Sequence, residues 1–116
     1  MQIARLEQLE PFITVDGSSI RELAHPRWTA AQHQSLAEAT LPRGGETAEH
    51  YHPRSEEIYY FVAGAGRMRL VVRSGDCVPI PPGTAHKLWN TGDEPLVLLC
   101  CCAPAYEHDD TVMTGR

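Results

Sequence analysis

No run of this sequence approaches the roughly 20 consecutive apolar residues that a membrane helix needs. The most apolar stretch, 96–105, is far shorter and carries three cysteines, so no membrane partner is expected. Positive charge is also scarce: ten Lys and Arg stand against fifteen Asp and Glu, a formal net charge of −5. Binding a phosphate backbone requires clustered cations, so nucleic acid is not an expected partner. The first residues, Met-Gln-Ile-Ala-Arg-Leu-Glu, lack the apolar core of a signal peptide, and a cytoplasmic location is expected. The only cysteines are Cys77, Cys100, Cys101 and Cys102. Neighbours on a strand point to opposite faces and do not readily pair with each other. They read as reduced thiols, some packed in the core. There is no internal repeat, low-complexity tract or linker, and 116 residues suit one domain with one core.

What is present is a series of short, β-prone segments separated by Gly/Pro turns. Segments 35–41, 47–52, 57–62, 67–73, 77–80, 86–90 and 96–102 read as strands. Gly64-Ala65-Gly66, Ser74-Gly75-Asp76, Pro81-Pro82-Gly83 and Thr91-Gly92-Asp93 read as turns. Upstream, Ser18-Ser19 before Ile20-Arg21-Glu22-Leu23-Ala24 reads as one capped helical turn, stopped before Pro26. Closely spaced strands with such turns indicate an all-β sandwich or barrel. The expected organisation is an irregular or partly helical N-terminal arm (1–31), a β-barrel core (32–103) and a C-terminal tail (104–116).

The chemistry concentrates in His50, His52, Glu57 and His86. Side chains at i and i+2 of a strand share a face, so His50 and His52 can aim two imidazoles at one point. A fold-back at Pro53-Arg54-Ser55 brings the Glu57 carboxylate to the same place. Imidazole with carboxylate is a ligand set for a divalent transition metal, and four donors leave an octahedral ion two open positions.

These residues also fill two spaced motifs. Gly44, His50, His52, Glu57 and Gly64 satisfy Gly-x5-His-x-His-x(3,4)-Glu-x6-Gly. Gly75, Pro81, Gly83, His86 and Asn90 satisfy Gly-x5-Pro-x-Gly-x2-His-x3-Asn. In both, the chain closely resembles the cupin superfamily, in its small single-domain form. The resemblance implies a double-stranded β-helix, or jelly-roll barrel, holding one metal (Fe, Mn, Ni, Cu or Zn) in its mouth through His50, His52, Glu57 and His86. Glu57 is preferred to Glu56 because it alone places Gly64 seven residues on. The segment between the motifs, 65–74, is shorter than expected for such proteins, which predicts a truncated or shifted strand pair.

Tyr59, Phe61, Leu88 and Leu98 are expected to line the pocket. Tyr59 and His33 are the acid/base candidates; a surface role is the alternative for His33. Asn90 is read as a turn-bonding residue, and Arg67, Arg69 and Arg73 as one solvated strand face. His108-Asp109-Asp110 reads as a solvated tail or a clasp on a partner subunit. Tyr60, Val62 and Trp89, if outward, suit a homodimer. The functional expectation is an enzyme acting on a small oxygenated ligand at this metal, dioxygenase-like in the first instance. A redox-neutral isomerase, decarboxylase or lyase, or a non-catalytic binder, are the alternatives.

Overall fold

The computed structural model describes residues 1–115. Among them are eleven strands: β1 (Phe12–Ile13), β2 (Ser19–Ala24), β3 (Ser35–Leu41), β4 (His50–Tyr51), β5 (Glu56–Ala63), β6 (Ala65–Arg67), β7 (Val71–Arg73), β8 (Cys77–Ile80), β9 (Trp89–Asn90), β10 (Leu96–Ala103) and β11 (Val112–Met113). Two single turns of 3-10 helix, Leu6–Gln8 and His108–Asp110, are the only helices described. No helix among the described residues is long and apolar enough to cross a membrane.

Period-two patterning builds the main wall. In β3, Ser35, Ala37, Ala39 and Leu41 are buried and the residues between them are half-exposed. In β5, Glu57, Tyr59 and Phe61 point inward while Ile58, Tyr60 and Val62 face out. β10 pairs antiparallel with both strands, and the six-stranded sheet has the order β1-β2-β3-β10-β5-β8. Facing it is a shorter wall, β7-β6-β9, which continues through the bridges Glu46↔Trp89 and His50↔His86 to the β4–β11 pair. Leu41, Phe61, Leu88, Leu96 and Leu98 fill the space between the walls. Each such side chain stabilises the fold by about 1.5–3 kcal/mol. The result is an all-β barrel.

Several local expectations change. The expected helical turn over 18–24 is strand β2, paired with β3 from Ser19↔Thr40 onward, with an irregularity between Glu22 and Ala24. Covering the otherwise open edge of β3 outweighs local helical preference. The single strand expected over 67–73 is a hairpin, with β6 and β7 joined through 68–70 and Met68 N–H donating to Leu70 O at 2.9 Å. The short inter-motif segment allows three residues per strand, and Arg67, Arg69 and Arg73 are all exposed. Gly64 has φ +90°, and a Cβ there would sit 2.7 Å from Pro95 O, so the turn into β6 requires glycine. The strands expected over 47–52 and 86–90 reduce to the two-residue pairings β4 and β9; the rest of each segment is irregular apart from the bridge at His86. The tail returns across the barrel, with Val112 opposite Tyr51 and Met113 opposite His50.

Candidate metal centre

Each ligand candidate is held by backbone pairing. His50 and His86 exchange both backbone hydrogen bonds, at 3.1 and 2.9 Å. The Pro81-Pro82-Gly83 turn is tied to the same strand by Gly83 N–H donating to His52 O at 2.8 Å. Asn90 fastens the far side: its amide donates to Leu41 O and Glu94 O and accepts from Gly92 N–H. Glu57 enters from the opposite wall on the inward face of β5.

The four side chains converge. One donor atom from each of His50, His52, Glu57 and His86 lies within 4.8 Å of the others, and all four residues are buried. Glu57 Oε1 is 3.2 Å from His52 Nε2 and 3.4 Å from His86 Nε2. The outer ring nitrogens set the tautomers. Nδ1 of His50 faces Ala48 O at 2.9 Å, Nδ1 of His52 faces Asp110 O at 3.0 Å, and Nδ1 of His86 faces Thr84 O at 2.9 Å. A carbonyl only accepts, so each Nδ1 carries hydrogen and, in the neutral ring, each Nε2 presents a lone pair inward. Glu57 Oε1 and His86 Nε2 have no hydrogen-bond partner although both are fully buried. Buried polar atoms are normally satisfied, and a cation between the four donors would satisfy both. Three imidazole nitrogens and one carboxylate oxygen fit a divalent transition ion.

Proton affinities follow the same geometry. Burial opposes ionisation of Glu57, but with no ion bound, hydrogen bonds from the imidazoles of His52 and His86, which require a proton on Nε2, outweigh it and hold its carboxyl down to about 2. Burial, and then the neighbouring imidazole of His86, lower His50, with partial opposition from its backbone bond. For His52 burial also acts downward, yet Glu57 and Asp110 prevail and raise it.

Three contacts around the donors are not legible in the motifs. Cys102 Sγ donates to Glu57 Oε2 at 3.2 Å, leaving Oε1 to face the histidines. Burial and then the Glu57 charge push the Cys102 thiol up, so it is a neutral donor. Asp110, buried at 3% exposure, accepts from Arg54 N–H at 3.0 Å and Ser55 N–H at 2.9 Å. It therefore fastens the 53–55 turn between His52 and Glu57 within its own chain, where a solvated tail or a clasp on a partner was expected. Asp16 lies in the loop between β1 and β2 and turns Oδ2 toward His50 Nε2 at 3.9 Å. It stays outside the group of four donors.

A cavity of about 110 Å³ opens toward the solvent from His50, His52 and Glu57. Tyr59, Leu88 and Leu98 line it, and so do Cys100 and Cys102. Phe61 does not: one strand step beyond Tyr59, it is fully buried in the core, with its ring 6.2 Å from that of Tyr59. His33 is exposed and belongs to a separate surface depression beside Arg54 and Asp110. Tyr59 is buried against His86, their rings 5.7 Å apart, and burial followed by the Glu57 charge raises its phenol well above the usual range. The mouth is built from both ends of the chain. Phe12, His25 and Trp28 come from the arm, and Tyr106, His108 and Thr111 from the tail. His25 is buried, donating through Nε2 to Tyr106 O at 2.8 Å and stacking on Trp28.

Comparison with known proteins agrees with this architecture. A family model described as the cupin domain matches residues 37–102. Protein MJ1618 of Methanocaldococcus jannaschii is 48% identical over 118 residues, covering 96% of this chain and 94% of that one. A glucose-6-phosphate isomerase of Thermococcus onnurineus is 39% identical over 75 residues, spanning 54% of this chain but 40% of the isomerase. Among solved structures, an oxalate decarboxylase of Lactobacillus farciminis is 27% identical with a TM-score of 0.77, covering 95% of this chain and 35% of that one. The polyketide cyclase RemF of Streptomyces resistomycificus, at 18% identity, has a TM-score of 0.84 and covers 100% of this chain and 87% of that one; this likeness is one of fold. The chain belongs to the cupin family.

Proposed function

We propose that this cupin is a metal-dependent enzyme carrying out redox-neutral chemistry on a small oxygenated substrate. The observation that carries the metal reading is the buried His50–His52–Glu57–His86 group, with two of its inward atoms left unpaired. A divalent ion held there supplies Lewis acidity toward a carbonyl or hydroxyl oxygen. Tyr59, Leu88 and Leu98 keep water from the inner cavity, and Cys102 holds Glu57 by its outer oxygen. The glucose-6-phosphate isomerase named above supports a redox-neutral outcome, since an isomerisation neither oxidises nor reduces its substrate overall.

The test begins with elemental analysis of the purified protein, which is expected to find about one divalent transition ion per chain. Incubated with dihydroxyacetone in heavy water, the loaded protein should exchange carbon-bound hydrogen, and chelation should abolish the exchange. Oxygen uptake with enediols or diketones would replace this reading with the dioxygenase one. Ligand binding with neither activity would favour a non-catalytic binder.

The outer face of β5 supports a homodimer. Ile58, Tyr60 and Val62 are 39%, 46% and 46% exposed in one row. Such a row of apolar side chains is costly to leave in water. Sedimentation should show a dimer, and Tyr60→Arg should shift it toward monomer with metal content unchanged. A wild-type monomer at every concentration would exclude this association.

A further inference from the structure

Asp16 is the acidic group the metal cage leaves unused. Its two oxygens have separate surroundings. Oδ1 accepts three hydrogen bonds: from Thr14 Oγ1 at 3.1 Å, Ser18 N–H at 2.9 Å and Ser18 Oγ at 2.6 Å. Oδ2 accepts none among the described residues, and its nearest ring nitrogen is His50 Nε2 at 3.9 Å. The loop is rigid. Thr14 N–H bonds Ser18 O, Gly17 N–H bonds Thr14 O, and Gly17 sits at φ +92°. The loop is also coupled to the cage: Ala48 N–H donates to Asp16 O at 2.8 Å, and Ala48 O accepts from His50 Nδ1. With 13% of its side chain exposed, Asp16 is an acceptor fixed at the wall of the metal cavity.

Two properties decide what it accepts from. Since Asp16 is not one of the mutually close donors, its free oxygen faces a molecule on the ion rather than the ion itself. The cavity wall is also acidic. Glu22, Glu57 and Glu107 line it with Asp16, and its one Lys or Arg, Arg27, is paired with Glu107 at 2.7 Å. Beyond the ion itself, a dianion would meet carboxylates with no unpaired Lys or Arg on this wall to receive it, whereas a hydroxyl bound to the ion would donate to Asp16 Oδ2.

We infer that Asp16 selects the ligand: the site takes an oxygen chelator that keeps a hydroxyl proton next to the metal, of the α-hydroxy-carbonyl or α-hydroxy-acid class. This deepens the metal-dependent reading and rests on it. A site built to pair with a hydroxyl rejects the analogue lacking one, because its own acceptor is then left unpaired.

The probes are glycolate and methoxyacetate, which offer the same chelate with and without the hydroxyl proton. Binding to zinc-loaded protein is measured by calorimetry for wild type and Asp16→Asn. The asparagine oxygen can accept the same three loop bonds, so the fold is expected to hold. Both proteins should hold one zinc per chain at saturating metal, since no donor is lost, with Asp16→Asn up to about a hundredfold weaker for want of the nearby charge. Wild type should prefer glycolate, and the preference should fall about tenfold in Asp16→Asn, the size expected for a hydrogen bond to a charged group. The asparagine matches aspartate in volume, so any steric penalty on the methyl group is common to both proteins and cancels. Failure of wild type to hold zinc would remove the metal reading and this inference with it. Zinc held by wild type but lost by Asp16→Asn would make Asp16 a ligand instead and overturn the inference. Equal zinc retention with no wild-type preference, or with a preference the substitution leaves unchanged, would overturn it while leaving the metal reading intact.

Discussion

Replacing His52 by alanine is expected to strip the protein of its metal, while Cys101→Ser leaves metal content unchanged. The two residues differ in what they face. His52 turns a lone pair inward, 3.2 Å from Glu57 Oε1, with Nδ1 locked on Asp110 O. Cys101 belongs to the opposite face of β10, where its sulfur reaches Gln34 Oε1 at 3.6 Å. Loss of an outer partner of a metal ligand typically weakens binding 10- to 100-fold, so loss of a donor should cost on the order of a hundredfold or more. The melting temperature offers a second readout. An ion at about 100 times its Kd stabilises the folded state by about 2.7 kcal/mol, on the order of 10 °C for a domain of this size. Wild type and Cys101→Ser should show that rise on adding metal, and His52→Ala should not. Equal metal content in the two variants, by elemental analysis, would defeat the ligand assignment.

The second large effect is expected at a residue that touches no ion. Asp110→Ala removes the carboxylate that accepts from Arg54 N–H and Ser55 N–H. The ion pair with Arg54 adds little, because that guanidinium is 68% exposed. The two backbone donors matter more, since each one stranded away from water costs about 1–3 kcal/mol. The loss should be about 2–4 kcal/mol, which lowers melting on the order of 10 °C. The turn it holds lies between His52 and Glu57, and the acceptor for His52 Nδ1 is Asp110's own carbonyl. Metal affinity should therefore drop about tenfold or more, without the complete loss expected for His52→Ala. Unchanged melting and unchanged metal uptake in Asp110→Ala would show that the clasp is incidental.

The contrast between these two residues shows what a linear reading can reach. The cage was legible because strand alternation is local: His50 and His52 share a face wherever the strand goes, and Glu57, Tyr59 and Phe61 share another. The role of Asn90 was legible because a side chain closing its own turn needs only its neighbours. Asp16, Cys102 and Asp110 were not, because their contacts with the cage span separations of 34, 45 and 58 residues. Three consecutive cysteines conceal which of them face inward until the register of β10 against β5 sets Cys100 opposite Tyr59 and Cys102 opposite Glu57. The 18–24 segment contains helix formers, and only pairing with β3 makes it a strand. Phe61 shares Tyr59's face, but periodicity does not tell how deep in the barrel each side chain sits.

The division between cage and mouth has a further meaning. The four donors lie within residues 50–86, inside the span shared with the family. The groups that would meet a substrate beyond the ion (Asp16 and His25 before that span, Tyr106 and His108 after it) sit on the two chain ends. On the proposed reading, the donors to the ion and most polar groups at the mouth come from separate stretches of polypeptide, with Asp110 reaching back from the tail to brace His52. Changes in the flanking segments can redirect such a barrel to new chemistry while its central cage stays as it is.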